Sequence, residues 1–214
     1  MKILYGTGNV AKLDAMRKII KSHGFNAELY TLKDIGFDKD IIEDGKTFEE
    51  NSEIKAREIQ KFCRENNIVD KIIITDDAGL CVDKLNGEPG IYTARYAGEH
   101  PTQIENINKL LQNLKQYQNM EDRTCKFVCV LTALLPNGEK IVSRGECKGT
   151  IALKHGNLGG LTYGPIFIPD GFDKPMGDMA EEEYIAVHNH RDLAMNELMK
   201  KFKELGYYWW RSLL

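Results

Sequence analysis

Long hydrophobic runs are what this sequence most plainly lacks. No apolar stretch among its 214 residues is long enough to span a membrane, and the opening Met1-Lys2-Ile3-Leu4-Tyr5 is too short for a signal-peptide core. An excess of one charge is missing too: 29 Lys and Arg stand against 32 Asp and Glu, for a net charge of −3. With the signs mixed, nothing favours nucleic acid or an anionic membrane as the main partner, although a local basic pocket for phosphates stays allowed. Cysteines are few and odd in number (Cys63, Cys81, Cys125, Cys129 and Cys147), with no Cys-x-x-Cys pair. That excludes a disulfide framework and points to reduced thiols in a cytosol-like compartment. Cys125 and Cys129 share one face of an extended segment, but no histidine lies near enough to complete a zinc site. Repeats, low-complexity segments and flexible linkers are also absent. What remains is an ordinary globular composition, 42% hydrophobic and 29% charged. The length suits one sizeable domain or two closely packed lobes.

The most informative stretch is Ile72-Ile73-Ile74-Thr75-Asp76-Asp77-Ala78-Gly79. The apolar and β-branched run reads as a buried strand that ends in two carboxylates. Adjacent carboxylates repel and lose solvation, so they persist most easily where a cation or a proton transfer uses them. A divalent-metal site is one reading, and a solvated turn is the other.

Residues 2–5 read as a first strand and residues 11–21, with Leu13, Met16, Ile19 and Ile20 at helical spacing, as the helix that follows. Between them, Gly6-Thr7-Gly8-Asn9 makes a strand-to-helix turn whose backbone N–H groups and following Lys12 suit phosphate oxygens. Neither the P-loop nor the Gly-x-Gly-x-x-Gly spacing is present, and Thr7 and Asn9 also suit a plain helix cap. A second strand is expected over residues 26–32. Thr47 with Glu50 three residues on predicts a capped helix over residues 48–64, which puts Asn51 and Lys55 on one face. An amphipathic helix is expected over residues 101–118, and a hairpin from residues 125–135 and 140–153 around Asn137-Gly138. A glycine-rich loop over 156–165, a last helix over 192–205 and an aromatic tail over 207–214 complete the chain.

Taken together these segments resemble the inosine/xanthosine triphosphate pyrophosphatase family, the Ham1-like house-cleaning enzymes. The matching pieces run in order from Ile3 to about Leu205. They are Thr7-Gly8-Asn9 with Lys12; Glu43, Gly45, Thr47, Phe48, Glu50, Asn51 and Lys55; Asp76-Asp77 with Gly79-Leu80; Pro89-Gly90 through Tyr92, Ala94, Arg95 and Tyr96; Gly159-Gly160 with Tyr163 and Pro165; and His190-Arg191. The resemblance implies an α/β fold of two lobes around a long twisted mixed sheet flanked by helices, with the active-site cleft between lobes and the second lobe roughly over 120–170. It implies hydrolysis of a nucleoside triphosphate to monophosphate and pyrophosphate by a cytoplasmic homodimer, with Mg²⁺ required and Mn²⁺ as a substitute. Asp77 matches the general base, assisted by Asp76; Glu43, Asp76 and Asp77 match metal-binding carboxylates; Thr7, Gly8, Asn9, Lys12 and Lys55 match triphosphate-binding positions. Ala78, Leu161, Tyr163, Gly164, His190 and Arg191 complete the substrate-binding set.

The sequence departs from the family pattern mainly among residues that read the base. Ala78 stands where serine is usual, Leu161 where an aromatic ring stacks on the base, and Gly164 where an aspartate is usual. The lysine that contacts a 6-keto purine is missing from Glu182-Glu183-Tyr184, which is followed by a small insertion, and Asn189 replaces serine before His190-Arg191. Losing groups built to hydrogen-bond one base changes discrimination by orders of magnitude, so the expected outcome is a retained reaction with altered or relaxed base preference. Tyr163 or Tyr184 is available for replacement stacking. Two rivals stand beside this reading: hydrolysis of a standard or modified deoxynucleotide, and an inert nucleotide-binding or interaction protein that kept the fold.

Overall fold

The computed structural model describes residues 2–25, 27–158 and 162–206. The expected strand at 26–32 therefore starts outside the described residues at its first position, and Gly159, Gly160, Leu161 and the aromatic tail lie outside them altogether.

The elements are β1 (Lys2–Tyr5), α1 (Val10–Ser22), β2 (Glu28–Thr31), α2 (Phe48–Glu65), β3 (Ile72–Val82), α3 (Gln103–Asn113), β4 (Thr124–Leu134), β5 (Lys140–Ile151), β6 (Phe167–Pro169), α4 (Glu181–Ala186) and α5 (His190–Glu204). The strands form one mixed six-stranded sheet in the order β2-β1-β3-β4-β5-β6, an α/β fold. β1 runs parallel to β2 and to β3, whereas β5 and β6 are antiparallel. Parallel strands buried on both faces read as continuous apolar runs, which is why Ile3, Leu4 and Tyr5 are all fully buried.

Two compact units divide the chain. The first holds residues 1–77, 130–145 and 192–214; the second holds 78–129 and 146–191. In the first, Leu4 of β1, Ala56, Ile59 and Cys63 of α2, Ile73 of β3 and Leu134 of β4 close around Phe37. The α2 residues recur three or four apart and make the helix's apolar stripe. In the second, Leu80 and Val82 of β3, Ile107 and Leu110 of α3, Phe127 and Phe167 form a separate core.

Helix α3 is shorter than the expected 101–118. Thr102 caps it with a complete capping box, and it ends at Asn113. The reason is a buried arginine. Arg123, only 1% exposed, donates to the carbonyls of Leu114 and Tyr117 at 3.0 and 2.9 Å and to those of Ile151 and Ala152 at 2.6 and 2.7 Å. It thus satisfies carbonyl groups that a terminating helix leaves without an intrahelical partner. Periodicity of apolar residues carries no signal for such a tie.

Candidate active site

The Asp76-Asp77 pair does not sit at the end of a strand or in a turn. Both residues lie in the middle of β3, an eleven-residue strand that continues to Val82. Successive side chains of a strand point to opposite faces. The two carboxylates are accordingly separated, and each meets its own lysine.

On one face Asp76, with a side chain 1% exposed, receives the ammonium of Lys12 at 2.7 Å and the hydroxyl of Tyr5 at 2.8 Å. On the other, Asp77 lies 3.6 Å from Nζ of Lys55, which also donates to Glu43 at 2.8 Å. Thr75, two residues before Asp77 and on the same face, is locked to Ser52 of α2: its hydroxyl donates to the Ser52 carbonyl at 2.7 Å, and the Ser52 hydroxyl donates back to the Thr75 carbonyl at 3.2 Å. Ser52 and Lys55 are three apart on the helix, and Thr75 and Asp77 two apart on the strand. This reciprocal pair, both members fully buried, sets the register that brings lysine to carboxylate.

Glu43 reaches Lys55 because its loop is tied to α2. The Gly45 N–H donates to Oδ1 of Asn51 at 2.9 Å, and a Cβ at Gly45 would lie 2.7 Å from that oxygen and 2.8 Å from Cβ of Glu50, so only glycine fits. Thr47 caps α2 as expected, accepting the Glu50 N–H at 3.1 Å. The Glu50 carboxylate turns instead to the Lys46 N–H, so the capping box closes one residue early.

The turn at 6–9 is built by close packing at one end and capping at the other. Gly6 donates to the Ile74 carbonyl at 2.8 Å, and a Cβ there would lie 2.5 Å from Ile59 Cδ1 and 2.7 Å from Thr75 Cγ2. Thr7 accepts the Asn9 N–H at 3.2 Å, and Asn9 accepts the Lys12 N–H at 3.3 Å as the cap of α1. Gly8 and Asn9 are exposed at the positive end of a thirteen-residue helix. Capping and anion binding are compatible here, because a cap leaves other N–H groups of the first turn facing outward.

The residues expected to read the base belong to the second unit. Tyr163 presents no free ring face for stacking: it is fully buried in that unit's core, its hydroxyl donates to the Thr93 carbonyl at 3.3 Å, and burial pushes its pKa up. Tyr184 of α4 is 40% exposed. Gly164 is buried and its carbonyl accepts the Gly177 N–H at 3.0 Å. His190 is buried, its ring stacked on Phe127 with centroids 5.0 Å apart. Asn189 accepts the Arg191 N–H at 3.0 Å and so caps α5, a task serine performs equally well, which gives the replacement at this position a physical reason.

Glu43, Asp77 and Asp76 are hard oxygen donors, the type a divalent cation of the magnesium class takes. Glu43 and Asp77 converge on one ammonium, an arrangement that suits a cation drawing its other ligands from phosphate and water. Among the described residues no three His, Cys, Asp or Glu side chains cluster closely enough to hold a metal by themselves.

The sequence profile of the Ham1 family matches residues 3–201. The chain belongs to the Ham1 family. A dITP/XTP pyrophosphatase of Clostridium perfringens is 40% identical over 202 residues, covering 94% of this chain and 97% of that protein. Solved structures agree. The Ham1 protein of Staphylococcus aureus superposes with a TM-score of 0.79 at 34% identity, covering 96% of this chain and all of that one. A HAM1 protein from Coxiella burnetii reaches 0.82 at 28% identity over 95% of this chain and 99% of its own. Within this family frame the motif residues Thr7, Asn9, Lys12, Glu43, Lys55, Asp76 and Asp77 all fall in the first compact unit. The supports Tyr5, Ser52 and Thr75 were not singled out from sequence. The available signal is weak: Tyr5 and Thr75 are polar groups at the end of apolar runs, each demanding a buried partner, and Ser52 sits unmarked in the polar run 49–53.

Proposed function

We propose that this chain is a nucleoside triphosphate pyrophosphohydrolase that converts non-standard purine nucleotides of the dITP and XTP type to monophosphate and pyrophosphate. The observation that carries the reading is the division of Asp76 and Asp77 across β3, each carboxylate with its own lysine. Lys12, Lys55 and the positive end of α1 supply positive charge for a triphosphate bearing roughly four negative charges. Asp77 accepts a proton from the attacking water; the water oxygen bonds to the α-phosphorus and the bond to the bridging oxygen of the β-phosphate breaks, so that pyrophosphate leaves with the electron pair. Magnesium, with manganese as a substitute, would be held by Glu43 and Asp77 and would neutralise charge on the phosphate oxygens, while Asp76 on the other face of β3 holds Lys12. The proposal includes a homodimer in the cytoplasm, supported by the family resemblance and by five cysteines that form no disulfide.

Base preference is altered in this reading. Ala78, Leu161 and Gly164 remove the hydroxyl, ring and carboxylate expected of the family, and the purine-contacting lysine is absent. The test is a panel of inosine, xanthosine, standard and base-modified triphosphates with magnesium, read by pyrophosphate and monophosphate release. Preferential turnover of the inosine and xanthosine nucleotides is expected, with a narrower margin over the standard ones than an intact base pocket provides. Preference for a standard or modified deoxynucleotide would move the assignment to pool remodelling, and no turnover of any would refute an enzyme. Asp77→Asn should lower turnover by at least about a thousand-fold without unfolding the chain; survival of activity would remove Asp77 from the role of base.

A further inference from the structure

Two residues that bracket the turn at 6–9 meet on a single carboxylate. Tyr5 ends β1 and donates its hydroxyl to Oδ1 of Asp76 at 2.8 Å. Lys12, in the first turn of α1, donates to Oδ2 of the same group at 2.7 Å. Tyr5 is fully buried and the Asp76 side chain is 1% exposed, whereas Lys12 keeps 30% of its side chain in solvent. Ile3 and Leu4, the preceding residues of the strand, are apolar, and phenylalanine would fill the volume of Tyr5 equally well. A hydroxyl placed there needs a partner to offset its desolvation, and it donates to the lysine's own counter-ion.

We infer that Tyr5 is a positioning residue for anion binding: it orients the Asp76 carboxylate, which in turn holds the Lys12 ammonium at the start of α1, where Gly8 and Asn9 are exposed. A carboxylate turns easily about its terminal torsion, and one donor on each oxygen fixes its plane. Lysine carries a long flexible stem, so an ammonium held in place loses less freedom when a phosphate arrives. The inference rests on the reading that this turn binds the triphosphate of the substrate, and it adds a residue that does not itself touch the ligand.

The experiment compares the parent with Tyr5→Phe, Lys12→Met and the double variant. Phenylalanine keeps the packing, and circular dichroism melting checks that the fold is retained. Calorimetric binding of inorganic tripolyphosphate should weaken by about ten-fold in Tyr5→Phe, the lower end for a hydrogen bond to a charged group. The KM for a turned-over nucleotide should rise by a similar factor while kcat stays within about three-fold. In the Lys12→Met background Tyr5→Phe should change tripolyphosphate binding by less than about two-fold, because the route through the ammonium is gone. A parent-like affinity in Tyr5→Phe, or a penalty that persists undiminished without Lys12, would overturn the inference. Failure of the two readings is distinguishable. Turnover with no effect of Tyr5→Phe on binding sinks the positioning role and leaves the enzyme. No turnover, with tripolyphosphate binding still weakened through Lys12, leaves the positioning role and sinks the enzyme.

Discussion

Replacing Lys55 by methionine removes one charge from between two carboxylates and leaves the helix packing nearly unchanged. Nζ lies 2.8 Å from Glu43 and 3.6 Å from Asp77, and the three side chains are 14%, 31% and 14% exposed respectively. At the effective dielectric that describes such sites, each contact amounts to about 5 kcal/mol of gross attraction. Desolvation of the lysine and partial hydration of Glu43 cancel much of this, so a net loss of about 2–3 kcal/mol is expected. For a chain of this size that corresponds to a fall in Tm of about 5–10 °C in ligand-free protein. Magnesium should then stabilise the variant more than the parent, since the cation no longer competes with an ammonium for Glu43 and Asp77. The assay is thermal melting of both proteins with and without millimolar magnesium chloride. An unchanged Tm would show that the ion pairs contribute nothing net, and an equal magnesium shift in both proteins would refute the placement of the cation between these carboxylates.

Alkaline stability and thiol reactivity supply the remaining tests. Burial, followed by the hydrogen bond to Glu88, pushes the Tyr96 hydroxyl up to about 12. A raised folded-state pKa gives stability that is complete below the unfolded value near 10 and lost as the pH climbs from 10 towards 12, by about 1.4 kcal/mol per pH unit. Urea unfolding at pH 9.5 and 11.5 should show this loss, and Tyr96→Phe should lessen it; an undiminished slope in the variant would refute the assignment. Cys63, Cys125, Cys129 and Cys147 are buried, with burial raising the Cys147 thiol to about 11, and Cys81 is half-buried. A thiol reagent at pH 8 should therefore modify one cysteine of the native chain quickly and all five in guanidinium, and two or more fast sites would contradict the packing described.

Much of the fold was legible because its signals are local. The run 2–5, the apolar spacing of α1, the Thr47 cap of α2 and the Asn137-Gly138 hairpin each depend on neighbours a few residues apart, and each formed within a few positions of expectation. The departures are tertiary. β3 runs straight through the two aspartates because Lys12, Tyr5 and Lys55, all distant in sequence, neutralise or hydrogen-bond them; without those partners a carboxylate pair reads as the end of a strand. α3 stops early because Arg123 takes the next carbonyls. Tyr163 is buried because its ring belongs to the second unit's core, although its neighbourhood of glycines reads as an open loop.

The sequence by itself determined which groups are present and their family: the ordered motifs from Thr7 to Arg191 and the carboxylates and lysines of phosphate chemistry. Only the tertiary structure decided how those charges are shared. Alternation along β3 sends Asp76 to Tyr5 and Lys12 and Asp77 to Lys55 and Glu43. Two adjacent letters thus become two distinct electrostatic sites, because a strand separates neighbours and α1 and α2 each bring a lysine to one of them.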